Sequence, residues 1–139
     1  MKQLAIRSNV ERGALALEAA IIIPILVIMA IGLISLTYIT LQTDSMARSI
    51  SDEAARAASQ QQSQAGAYSA ADNVLKNGNI SSGILCDDLN LSADLSPGGL
   101  VTATVTCQGK SVLLPGFPAQ TITKTHTSNE IVDLYRSGS

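Results

Sequence analysis

The sequence predicts an α+β chain: a long N-terminal transmembrane helix that continues into an extracytoplasmic helix, then a small head of two or three antiparallel strands closed by one disulfide. Three observations predict it. Residues 14–41 hold a single charged side chain, Glu18. Residues 42–139 turn to Ser, Thr, Gln, Asn, Ala and Gly, and within them residues 100–107, LVTATVTC, alternate apolar with Thr. Two cysteines allow one intramolecular pairing. With 139 residues and only 3% aromatic side chains, the chain has room for one small domain, which excludes a large catalytic one.

Residues 19–36 read AAIIIPILVIMAIGLISL, about 18 residues without a charge, enough to cover most of a ~30 Å hydrocarbon layer at a rise of ~1.5 Å per residue. Lys2, Arg7 and Arg12 precede this run against one acid, Glu11, while Asp44, Arg48, Asp52, Glu53 and Arg56 follow it with no basic excess. The positive-inside rule therefore puts the N-terminus in the cytoplasm and the rest outside, as a single-pass protein of the cell membrane. A cleaved signal peptide fits less well, because the run is long and the nearest small-x-small site, Ser45-Met46-Ala47, lies far beyond it. Pro24 removes a backbone donor toward Ala20, so a kink or loosened turn is expected there.

Glu18 is the most informative residue. A carboxylate at a bilayer centre costs about 2.5–3.5 kcal/mol on insertion scales, less near an interface, and such groups usually have a partner. Cutting the chain after Gly13 would give Ala14 an α-ammonium four residues before Glu18, able to neutralise it within the same helix or from a neighbouring subunit. The plainer alternative is a Glu18 that reaches headgroups and water at the cytoplasmic interface.

The stretch Gly13-Ala14-Leu15-Ala16-Leu17-Glu18, followed by an apolar run containing Pro24, resembles the class III leader site of prepilins and is similar to the TadE family of pseudopilins. That family has Gly at −1, Glu at +5 and Pro at +11 of the mature chain, positions that Gly13, Glu18 and Pro24 match. It commonly carries an aromatic residue after the Glu, where this chain has Ala19. Val132-Asp133-Leu134-Tyr135-Arg136 resembles the tail of actinobacterial TadE-like proteins. The resemblance implies a cytoplasmic leader, residues 1–13, removed by a membrane prepilin peptidase between Gly13 and Ala14. It also implies assembly with other pilins or pseudopilins and the pilus assembly platform, with incorporation in an extracellular pilus as one outcome.

Residues 42–62 contain no Gly or Pro, so the helix is expected to continue to about Ser59, giving a membrane and stalk helix over 14–63 and a head over 64–139. Asp44, Arg48, Asp52 and Arg56 stand at i,i+4 spacings. Leu36, Ile39, Thr43, Met46, Ile50, Ala54 and Ala57 form a narrow, mostly apolar stripe. So small a head is not expected to cover so long a helix, and the stripe is expected to meet another chain; the alternative is that it packs under the protein's own head or lies at the membrane surface. After a Gln-rich break containing Gly66, residues 68–76 read as a second helix with Asn77-Gly78 as its C-cap.

In the head, residues 100–107 are the clearest strand, preceded by a turn at Pro97-Gly98-Gly99; residues 86–93 and 120–128 are weaker strands. Leu89, Leu91 and Ala93 share a face that Cys86 does not, so either a bulge intervenes or Cys86 precedes the strand. A Cys86–Cys107 bridge would close a loop of about 20 residues, worth roughly 3 kcal/mol by chain entropy. His126 is expected on an exposed strand or loop, Asp87, Asp88 and Asp94 in solvated acidic turns, and residues 113–118, LLPGFP, as a covering or docking loop.

The near-neutral charge argues against nucleic acid, and one His with two distant Cys against a metal site. No catalytic triad or phosphate loop is patterned, and no cofactor or small-molecule substrate is expected. The expected function is that of a non-enzymatic TadE-like minor pilin or pseudopilin in assembly of a Tad-type, type IV-related pilus. The alternative is a permanently anchored surface binding module with an uncleaved N-terminus.

Overall fold

The structure, a computed structural model, describes residues 2–78, 83–111 and 118–135, with side chains from residue 16 onward. Helix α1 spans Lys2–Ser59 and passes through Pro24 without a break. No Gly or Pro follows Gly32 within it, so the alanine-rich distal part has nothing to stop it before Ser59. Helix α2 spans Gln64–Gly78.

Strands β1 (Ile84–Ala93), β2 (Leu100–Ser111) and β3 (Gln120–Ile131) form one antiparallel sheet in the order β1-β2-β3. Three strands are therefore present among the described residues, each longer than the sequence pattern alone marked out.

α2 begins earlier than residue 68 because Ser63 caps it. The Ser63 hydroxyl accepts from the Gly66 N–H at 3.1 Å, and its carbonyl accepts from the Ala67 N–H at 2.9 Å. Gly66 thus lies in the first turn of the helix rather than in the break. The Asn77-Gly78 C-cap also needs correction. Gly78 still belongs to α2 and does not have positive φ; a Cβ there would stand 2.6 Å from Ile50 Cδ1, so the glycine serves close packing of α2 on α1.

The turn before β2 is as expected, with Gly98 at φ 78° and the Gly99 N–H bonded to the Ser96 carbonyl at 2.7 Å. Pro97 then occupies the second position and Gly98 the third, the arrangement of a type II turn.

Alternation in β2 is complete: Val101, Ala103, Val105 and Cys107 are fully buried while Thr102, Thr104 and Thr106 face away. The pairing of β1 with β2 slips between Cys86 and Asp88. The extra residue, Asp87, is the bulge that returns Cys86 to the face of Leu89 and Leu91. Cys86 lies directly opposite Cys107, and the two are joined.

The sheet packs its buried face on α1 and α2. Distally, Ala54, Ala55 and Ala58 of α1 and Ala67 and Ala71 of α2 meet Leu91, Val101, Ala103 and Val132. Nearer the N-terminus, Ala47, Ile50 and Leu75 meet Ile84, Cys86, Val105 and Cys107. From about Ile39 to Ala54 the stripe on α1 is thus covered by the chain's own head, the alternative expected above, and is not left there for another chain. Alanines on both helices make this possible, since small side chains let two helices and a sheet close over a narrow stripe.

Candidate functional site

Below the head, α1 presents apolar side chains to the surroundings on every side. Leu17, Ile21, Leu26, Met29, Leu33 and Ile34 are all exposed, Leu17 at 69% and Ile34 at 68%, and the exposed run reaches Leu41 at 63%. Only 6% of its most apolar 18-residue window is buried inside the protein, unlike the core helix of a soluble domain. Residues 17–41 cover about 37 Å at ~1.5 Å per residue, against a ~30 Å hydrocarbon layer. The helix is long and apolar enough to cross a membrane once and is compatible with a single-pass protein.

Glu18 lies exposed near the start of this run, and Pro24 lies within it. Gly13 and Ala14 fall in α1, with side chains outside the described set, so Ala14 and Glu18 are separated by one turn of the same helix. Where the run ends, hydroxyls return to the helix: Thr37, Thr40 and Thr43 donate to the carbonyls four residues earlier. Gln42 Nε2 bonds the Tyr38 hydroxyl at 2.6 Å. Of the i,i+4 charges, Arg48 pairs with Asp44 at 3.0 Å, whereas Asp52 and Arg56 line a cleft.

That cleft is a feature the sequence did not announce. Ser49, Asp52, Glu53 and Arg56 of α1 line it together with Ser128, Asn129 and Glu130 of β3, and the groove continues to Gln60 and Asp133. It arises because the helix-facing side of β3 is polar: Lys124, His126, Ser128 and Glu130 pair with Cys107, Val105, Ala103 and Val101 and are half-buried. His126 is accordingly half-buried on a strand and not exposed. Among the described residues no group of His, Cys, Asp and Glu is arranged to hold a metal ion.

The acidic residues of the head do separate jobs. Asp87 is the bulge and Asp88 opens the regular pairing. Asp94 accepts from the Ser96 hydroxyl at 2.7 Å and the Ser96 N–H at 3.1 Å. These two bonds, the hydroxyl first, hold its carboxyl below the ordinary 3.8. The tail is drawn in at Val132, which is fully buried and exchanges backbone bonds with Gly98 and Gly99, while Tyr135 stays exposed. The loop at residues 113–117 lies outside the described residues, as does Arg136.

Compared with known protein families, curated proteins and solved structures, the chain matches none.

Proposed function

We propose that the chain is a TadE-like minor pilin or pseudopilin, a non-enzymatic subunit of a Tad-type pilus. In this reading it is cut after Gly13 by a prepilin peptidase and held in the membrane by residues 17–41. The head stands outside, where the Cys86–Cys107 bridge suits an oxidising compartment. Its partners are lipid, the peptidase, other pilins and the assembly platform.

One observation carries the reading: a carboxylate, Glu18, sits on an otherwise apolar, exposed helix surface one turn beyond the Gly13-Ala14 bond. Cleavage at that bond would place an α-ammonium within one helical turn of it, which offsets the cost of a charge in lipid. The chemistry of cleavage belongs to the peptidase. The role of Gly13 is to leave the extended backbone unobstructed in a protease cleft.

The alternative, a permanently anchored binding module, keeps residues 2–13 as part of the same helix α1. N-terminal sequencing of the protein from its native membrane separates the two. A chain beginning at Ala14 supports the pseudopilin; one that retains Met1 in cells bearing functional pili supports the anchor.

A further inference from the structure

The head's height on α1 is set by where β2 crosses it. β2 runs against α1: Val101 and Ala103 meet Ala54, Ala55 and Ala58, and then Val105 and Cys107 meet Ala47 and Ile50. Next, Gly109 reaches the level of Ile39 and Thr43, where a Cβ would run into Thr43 Oγ1 and stand 3.2 Å from Ile39 Cγ1. Ser111 and Gln120, paired at the end of the β2–β3 hairpin, lie two residues further on, about 7 Å along the strand. That descent brings the hairpin end beside the turn of α1 that bears exposed Tyr38 and Leu41, 61% and 63% accessible, where the apolar run stops. Lys110 and residues 118–121 are exposed at this rim. The residues between, 112–117, carry no charge in sequence.

We infer that this rim of the head, Lys110 with residues 118–121, rests on the headgroup layer of the leaflet from which α1 emerges, with the Lys110 ammonium among the lipid phosphates. The inference rests on the membrane-crossing part of the reading above and is independent of cleavage at Gly13. An aromatic hydroxyl and a cation at the boundary are the side chains that suit such a layer, where an apolar stem stays in lipid and a polar tip in water. The consequence is a head held at fixed height and orientation, since α1 continues rigidly into it and leaves no linker between span and sheet.

The test uses the full chain in vesicles of phosphatidylcholine and phosphatidylglycerol, with a small fluorophore on Ala119→Cys, Gln62→Cys or Leu33→Cys and nitroxide lipids labelled at the headgroup or in the acyl chain. The headgroup nitroxide should quench the label at 119 and spare the one at 62, which lies beyond the distal end of α1. Quenching at 119 no greater than at 62, with the label at 33 quenched from the acyl chain, overturns the seating alone. Absence of acyl-chain quenching at 33 overturns the membrane crossing itself. Lys110→Gln should weaken the contact of residue 119 about fivefold in the anionic vesicles and leave it unchanged in pure phosphatidylcholine; no change in either overturns the role given to the lysine.

Discussion

Gly109 has no side chain because α1 leaves no room for one. A Cβ at this position would collide with Thr43 Oγ1, itself fully buried and bonded to the Ile39 carbonyl, so neither side yields cheaply. Gly109→Ala should therefore cost about 1–3 kcal/mol of head stability, read from denaturant unfolding of the full chain in detergent. Adding Thr43→Ala should return part of that loss, because the closest obstruction is then gone; a double variant no more stable than the single one would show that the strain lies elsewhere. Gly109 stands where the alternation of β2 predicts an inward side chain, yet no sequence pattern says that the strand's last inward positions lie against a helix.

At the scale of elements, the sheet's two faces divide the work. The outward face of β2 and β3 is a ladder of polar pairs: the hydroxyls of Thr104 and Thr127 at 2.9 Å, those of Thr106 and Thr125 at 3.0 Å, and the Thr102 hydroxyl donating to Asn129 Oδ1 at 2.8 Å. The inward face contributes mostly small side chains, so each buried position removes little apolar area from water. Further tethers hold α2 to β1, with Tyr68 bonding the Leu91 carbonyl at 2.6 Å and Gln64 the Ala93 carbonyl at 2.8 Å. In such a lean core a cross-link spanning 21 residues is a large share of stability. Replacing both Cys86 and Cys107 by Ala should lower head stability by about 2–5 kcal/mol, with earlier proteolysis between β1 and β2. An unaltered unfolding midpoint would refute that weight.

For the whole molecule, α1 is both the candidate membrane span and the central support of the head, so insertion and folding share one rigid element. Glu18 lies far below the head's contacts, and its removal leaves them untouched. If the chain is the pseudopilin proposed above, Glu18→Ala should keep it in the membrane fraction with its disulfide intact, and should abolish pilus formation and co-purification with other pilus subunits. Unchanged assembly would contradict the role proposed for the carboxylate.

What the sequence determined by itself was periodic or exclusive. The charge-free run of residues 19–36, the alternation through Val101, Ala103, Val105 and Cys107, and the single available cysteine pairing each follow from local chemistry that no neighbour can overrule. Even the parity conflict between Cys86 and Leu89 pointed to a bulge as one of two solutions, and Asp87 supplies it. Only the tertiary structure decided what covers the stripe on α1, because an apolar stripe specifies that it is buried and not by whom. It likewise decided that Gly78 serves close packing, that polar β3 folds under a helix, and that Val132 enters the core. The physical reason is common to all four: each depends on contacts between segments distant in sequence, whose partners are set by the path of the chain and not by the pattern of either segment.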